Sequence, residues 1–262
     1  MSYNIRLLDL YNWSKRKETR DEIIAYLKKK NPSVLCLQEF YTGNDSIGFN
    51  NVKDIMDACQ FKYYASCYVN NNRRGHWGSI VFSKCPIVKS MNHDIDVVGS
   101  NQLQQVDIAL GKDTFSVYNV HLKSNRFTKQ ENEMVEKKEI SEMDTKAMSQ
   151  SKALVKKLES NAVSRGLEAD LVSNTISNNV YPSIICGDLN DIPTSYVYFK
   201  IRGKFSDAFL QKGFGLGATY NKVLPVLRID YIFHDDRFKI NGFEMDQVTF
   251  SDHNPLIVSL TL

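Results

Sequence analysis

Ile184-Ile185-Cys186-Gly187-Asp188-Leu189-Asn190 is the stretch from which the rest of the chain can be read. Residues 183–187 form a short apolar strand, and Asp188 and Asn190 follow where a sheet would deliver side chains to its rim. The same arrangement recurs outward in both directions. Glu39 ends Leu35-Cys36-Leu37-Gln38-Glu39, and His121 ends Phe115-Ser116-Val117-Tyr118-Asn119-Val120-His121. Asp230 heads Asp230-Tyr231-Ile232-Phe233, and Ser251-Asp252-His253 precedes the last apolar run. A lone acid at a strand end is ordinarily a solvated turn residue. Five such polar termini, carrying two histidines and four carboxylates, point instead to a shared site.

The residue types narrow the chemistry. Carboxylates and an asparagine amide oxygen are hard ligands suited to Mg²⁺, Mn²⁺ or Ca²⁺ rather than zinc. Histidine works as a general acid or base near neutral pH. No serine or cysteine nucleophile motif accompanies them, so the set points to metal-assisted hydrolysis of a phosphate ester.

Around these residues helical and strand-like segments alternate. Thr19-Arg20-Asp21-Glu22 opens a helix that closes on Lys28-Lys29-Lys30 before Asn31-Pro32, with acids and bases matched to its dipole. Val52, Ile55, Met56 and Cys59 are spaced for a second helix. Strands are predicted near 64–69, 78–83, 102–110, 114–122, 183–187, 229–234, 243–250 and 255–261, and the chain opens in a strand-like run, Tyr3-Asn4-Ile5-Arg6-Leu7-Leu8. Alternation in Gln102-Leu103-Gln104-Gln105-Val106-Asp107-Ile108 predicts a wetted face and an antiparallel part. Residues 125–180 are dense in balanced charge and read as a surface helical excursion, with one helix from about 144 to 165. No stretch rich in Pro, Gly or Ser divides the chain, so 1–262 reads as a single mixed α/β domain.

Composition excludes more than it assigns. The 262 residues are 42% hydrophobic and 24% charged, which excludes a disordered chain, and 13 Gly with 6 Pro exclude a collagenous one. The net charge of +3 tolerates a polyanionic substrate without indicating a dedicated nucleic-acid coat. Five cysteines, Cys36, Cys59, Cys67, Cys85 and Cys186, show no metal-binding spacing and read as reduced core residues. No apolar stretch approaches the ~20 residues of a membrane span, and no signal-peptide core opens the chain.

The ordered series Leu37-Gln38-Glu39, Gly78-Ser79-Ile80-Val81-Phe82-Ser83, Asn119-Val120-His121-Leu122-Lys123-Ser124, Gly187-Asp188-Leu189-Asn190, Arg228-Ile229-Asp230-Tyr231 and Ser251-Asp252-His253 resembles the endonuclease/exonuclease/phosphatase superfamily. The resemblance spans essentially the whole chain and is weakest over 125–180. It implies an α/β four-layer αββα sandwich, with two packed mixed sheets flanked by helices and the site at one rim. By that resemblance Glu39 is the main metal ligand with Asn4 beside it, and Asp252 lies near the metal. Asp188 orients and helps deprotonate the attacking water, Asn190 holds a phosphate oxygen, and His253 contacts the phosphate with Asp230 fixing its ring. His121 matches the first histidine of the two-histidine branches, which include secreted deoxyribonucleases, sphingomyelinases and inositol-polyphosphate phosphatases.

Two points depart from that pattern or lie open. Where the deoxyribonuclease branch places a glutamate to orient the first histidine, this chain has Gly75-His76-Trp77-Gly78, so no acid is evident to hold His121. Arg73, Arg74, His76, Trp77, Lys123 and Arg126 flank the motif loops as substrate contacts. The resemblance implies a Mg²⁺-dependent phosphoester hydrolase (Mn²⁺ or Ca²⁺ would suit the same ligands), a phosphodiesterase or endonuclease cleaving nucleic acid. A phosphatase or sphingomyelinase-type hydrolase is the alternative, and an inactive binding module the remote one. The chain is expected to be a monomer. Leu7-Leu8-Asp9-Leu10-Tyr11-Asn12-Trp13 and Gln38-Glu39-Phe40-Tyr41 resemble uncharacterised bacterial members that often follow N-terminal membrane helices, so either a cytoplasmic place or the extracytoplasmic part of an anchored protein fits.

Overall fold

The computed structural model describes residues 1–44, 49–95, 101–125, 145–221 and 227–262. Its elements run β1 (Ser2–Asn4), α1 (Thr19–Lys30), β2 (Val34–Gly43), α2 (Asn51–Cys59), β3 (Tyr63–Asn72), β4 (Gly75–Ser83), β5 (Ile87–His93), β6 (Gln102–Leu110) and β7 (Asp113–His121). The second half adds α3 (Thr145–Ser177), β8 (Ser183–Asp188), α4 (Tyr196–Arg202), β9 (Ser206–Asp207), α5 (Ala208–Lys212), β10 (Asp230–His234), β11 (Lys239–Met245) and β12 (Leu256–Thr261).

The strands form two six-stranded sheets, in orders β11-β12-β1-β2-β4-β3 and β5-β6-β7-β8-β10-β9. Both are mixed, because β1 runs parallel to β2 and β7 parallel to β8 while the other pairs are antiparallel. The sheets pack face to face over Cys36, Val81, Val106, Val117, Cys186 and Ile232. Ile23 and Leu27 of α1 and Ile55 and Cys59 of α2 cover the outside of the first sheet. Ala169, Val172 and Ile176 of α3, with Val197 and Ile201 of α4, cover the second. The four-layer αββα sandwich expected from the motifs is the observed fold.

Three local expectations change. The opening strand ends at Asn4 rather than Leu8, because the Asn4 side-chain oxygen accepts the Arg6 N–H at 3.1 Å and turns the chain off the sheet. Arg6, Leu7, Leu8 and Asp9 then all take left-handed φ values between 47° and 58°, a conformation costing roughly 1–2 kcal/mol per L-residue. The strand expected at 243–250 lies earlier, at Lys239–Met245. The helix expected to end near 165 continues to Ser177. Its second half buries Ala169, Val172 and Ile176. Exposed Val163, Leu167 and Leu171 blur that stripe in the sequence.

Candidate active site

Three neighbouring strands of the second sheet end at one level. In the ladder His121 is the direct partner of Asp188, and Asp188 of Asp230. The close approach requires Gly187, whose φ is 138° and where a Cβ would lie 1.9 Å from the Val120 carbonyl oxygen. Asn190 folds back in left-handed conformation, φ 52°. Its N–H donates to Asp188 Oδ1 at 2.8 Å and its side-chain amide to the Leu122 carbonyl at 3.0 Å.

The first sheet supplies the facing half. Asn4 ends β1 opposite Gln38, and the next residue, Glu39, sits in a β-bulge between Leu37 and Phe40. Its φ is 47°, the left-handed region that a glutamate visits only under constraint. The bulge redirects the carboxylate to the rim, where Glu39 Oε1 lies 3.9 Å from His121 Nε2. Gly78, beside the bulge, is needed because a Cβ there would fall 2.1 Å from the Cys67 carbonyl oxygen. Before β12, the Ser251 hydroxyl donates to the Asn4 carbonyl at 2.9 Å, which seats Asp252 and His253 against the second sheet.

The two halves meet through hydrogen bonds between buried groups. His253 Nδ1 pairs with Asp230 Oδ2 at 2.9 Å, and its Nε2 lies 3.7 Å from Asp188 Oδ2. The Asn4 amide donates to Asp188 Oδ2 at 3.1 Å. Below them Gln38 donates to Asn119 Oδ1 at 2.7 Å, so a polar tie crosses the sandwich directly under the site. His121 Nε2 stands 4.0 Å from Asp188 Oδ2 as well as beside Glu39.

Burial acts against the charges here. It pushes the Asp188 carboxyl up to about 6, the Asp230 charge adding to the effect while His253 and His121 oppose it. Burial likewise raises Glu39, with His253 opposing and the Asp252 charge adding. On His253 burial alone would lower the ring, but the Asp230 and Asp188 carboxylates outweigh it and carry the ring up to about 10. The ring is then a cation that donates from both nitrogens.

Those charges also indicate where a cation fits. Asp188, Asp230 and His253 offer ligand atoms within 4.8 Å of one another, but both ring nitrogens of His253 already face carboxylates, Asp230 at 2.9 Å and Asp188 at 3.7 Å. Glu39, Asn4 and Asp252 form an oxygen-only donor set in which burial and mutual repulsion make the acid costly to ionise. A hard divalent cation relieves that cost, so the residues fit one.

The remaining expected contacts divide. Trp77 packs at 4.9 Å on Tyr41, while His76, one residue earlier in β4, lies on the helix-bearing face with its ring stacked on Tyr68 at 5.0 Å. Arg73 and Arg74 are exposed on the β3–β4 turn. Lys123 donates its Nζ to Ser164 of α3 at 3.2 Å. Arg126 lies outside the described residues.

Sequence reasoning missed several participants. Arg6 pairs with Asp252 at 3.1 Å. Tyr220 sets its ring edge-on to His253 at 5.0 Å. The Thr219 hydroxyl accepts the N–H groups of Ile229 and Asp230 at 3.0 and 3.1 Å. From α3, buried Arg165 bonds Asp191 and the Lys123 carbonyl, and Glu168 accepts the Lys123 N–H at 2.9 Å. The Arg6 position next to Asn4 was the one available signal.

A rim where carboxylates, an amide and a cationic histidine converge from two packed mixed sheets defines a metal-dependent phosphoester hydrolase. The chain belongs to the Endonuclease/Exonuclease/phosphatase family, whose model matches residues 1–253 and whose members are enzymes of that class. No curated protein matches it. Among solved structures, an endonuclease/exonuclease/phosphatase from Bacteroides vulgatus is 16% identical with a TM-score of 0.72, covering 100% of this chain and 97% of that one. A mannosyl-6-phosphatase from Bacteroides thetaiotaomicron is 17% identical, TM-score 0.67, covering 100% and 98%. The human Nocturnin catalytic domain, solved with a bound sulfate anion, is 16% identical, TM-score 0.62, covering 95% and 87%. At such identities the likeness is one of fold. Among the described residues no helix is long and apolar enough to cross a membrane.

Proposed function

We propose that the protein is a Mg²⁺-dependent phosphodiesterase that cleaves nucleic acid by attack of water, with residues 1–262 acting as one domain. The observation that carries this reading is the Asp188–His253–Asp230 arrangement, 3.7 and 2.9 Å apart, beside the oxygen donors Glu39, Asn4 and Asp252. A divalent cation held by those donors would supply charge neutralisation at a non-bridging phosphate oxygen. Asp188 accepts a proton from the attacking water, a task suited to a carboxyl raised to about 6. Asn190 presents its amide to a phosphate oxygen. His253, kept cationic by Asp230, donates to the phosphoryl group as negative charge develops there. His121, with Glu39 and Asp188 beside it, is the donor at the leaving oxygen.

The test compares plasmid DNA, RNA, sphingomyelin and phosphorylated sugars with Mg²⁺ or Mn²⁺, using Asp188→Ala and His253→Ala as controls. Plasmid or RNA cleavage lost by at least about 10²-fold in both controls supports the reading. Release of inorganic phosphate from a sugar phosphate without strand cleavage would turn it to a phosphatase, the activity named for the Bacteroides thetaiotaomicron neighbour. Near-full activity in folded controls would remove the assigned roles.

A further inference from the structure

Beside the rim stand two aromatic rings that the fold leaves unburied. Tyr11 is 59% exposed and Trp13 is 43% exposed, and their rings meet edge to face at 5.0 Å. Arg6 joins them to the site. Its Nε is 3.1 Å from Asp252 Oδ2, and its guanidinium carbon is 4.6 Å from the centroid of the Trp13 ring. One face of the indole is thus fixed by a cation that also touches a proposed metal ligand.

The segment carrying the rings is tied at both ends. The Asp9 carboxylate accepts the Ser14 N–H at 3.1 Å and the Ser14 hydroxyl as well. Ser14 in turn meets the hydroxyl of Thr19, the first residue of α1, at 2.7 Å. Tyr41 lines the same cavity as Leu10 and Asn12, the two chain neighbours of Tyr11. Tyr41 packs on Trp77 and donates its hydroxyl to the Arg74 carbonyl at 2.9 Å. Two aromatic pairs, Tyr11–Trp13 and Tyr41–Trp77, thus border this cavity, the second reaching the β3–β4 turn. Exposed cations edge both ends, Lys15 and Lys17 at one and Arg73 and Arg74 at the other.

We infer that Tyr11 and Trp13 form a stacking platform for the bases of a single-stranded nucleic acid, whose backbone lies along Lys15, Lys17, Arg73 and Arg74. The inference rests on the nuclease reading above and gives it a substrate class. Flat exposed rings flanked by cations are the pairing that single strands use, because an unpaired base offers its face and the phosphates require charge. A duplex keeps its bases stacked inside, and one sugar phosphate is too small to span two aromatic pairs and both cationic ends.

The chain has two tryptophans, so Trp77→Phe leaves Trp13 as its single indole. Titrating that variant in EDTA with a short oligothymidylate should quench its fluorescence saturably, and glucose 6-phosphate should not. In anisotropy titrations on the otherwise unaltered protein, Trp13→Ala or Tyr11→Ala should weaken oligothymidylate binding by about 5- to 150-fold. Trp13→Phe should recover part of the loss, which a merely structural role would not give. Lys15→Gln should lower the salt slope by about one. Absent quenching, or unchanged affinity in Trp13→Ala, overturns the platform. Hydrolysis of bis-p-nitrophenyl phosphate, lost in His253→Ala, tests the underlying reading separately. Ester hydrolysis without quenching sinks only the platform; quenching without ester hydrolysis supports the platform and sinks the hydrolase roles.

Discussion

Asn4 and Asp188, 184 positions apart in the chain, share a buried hydrogen bond of 3.1 Å from the amide nitrogen of one to Oδ2 of the other. The Asn4 amide oxygen accepts the Arg6 N–H, so both ends of this short side chain are committed. It therefore aims Asp188 in the second sheet while it bends the backbone out of the first.

Replacing Asn4 with Ala should accordingly act on both stability and rate. A buried carboxylate that loses its donor costs about 1–3 kcal/mol. Asn4→Ala should lower the urea midpoint by that equivalent and reduce kcat more than KM rises, and Asn4→Asp should be worse because it adds a charge beside Asp188. A wild-type rate in Asn4→Asp would show that the contact is incidental.

The His253 ring, raised to about 10, should remain protonated across neutral pH in the metal-free protein. A raised basic pKa stabilises the fold fully below the ordinary histidine value near 6.5 and loses that contribution as pH climbs through about 10. Histidine NMR should show this ring titrating only in alkaline solution. In Asp230→Asn its titration should move down toward neutrality, and alkaline stability should become less dependent on pH. A ring that titrates near 6.5 in the unaltered protein contradicts this account.

Glu39 holds a strained backbone, φ 47°, in order to point a carboxylate at the rim. Glycine adopts that conformation freely, so Glu39→Gly should gain about 1 kcal/mol or more of stability while divalent-metal activation disappears. Thermal melts with and without Mg²⁺ measure both effects. Chelation should abolish activity in the unaltered protein and Mg²⁺ should restore it; a variant still activated by Mg²⁺ would move the cation elsewhere.

Arg165 of α3 holds two loops beside the site through Asp191 and the Lys123 carbonyl. Removing one partner of a fully buried pair costs about 3–5 kcal/mol, and partial exposure of Asp191 reduces this. Arg165→Ala should therefore melt earlier and lose rate, and Arg165→Lys, which keeps charge without the fork, should fall between. Unchanged melting would mean that these loops are held by other contacts.

How much of this was legible follows from how locally each feature is encoded. Glu39 and Asp188 end apolar runs while Asp230 and His253 stand at the start of them, and a strand that begins or ends at a rim leaves that mark in one dimension. The sandwich follows because the motifs recur in order. The left-handed turn at Arg6–Asp9 is invisible, since Leu7 and Leu8 favour extended or helical backbone and only the side-chain oxygen of Asn4 overrides them. The reach of α3 is hidden by exposed Leu167 and Leu171, which imitate a core stripe on its outer side. His76 and Trp77 are adjacent in sequence and fall on opposite faces, a separation decided by strand alternation and bulges. The carboxylates nearest His121 Nε2, Glu39 and Asp188, come from two different sheets, which no local window contains.

Because Asn4 and Glu39 belong to one sheet and Asp188 and Asp230 to the other, neither half of the sandwich carries a working site. Catalysis consequently serves as a caliper on the gap between the layers. A swap at Cys36 or Val117 that slides one sheet past the other by a fraction of an ångström would be read in turnover well before any melting curve registered it.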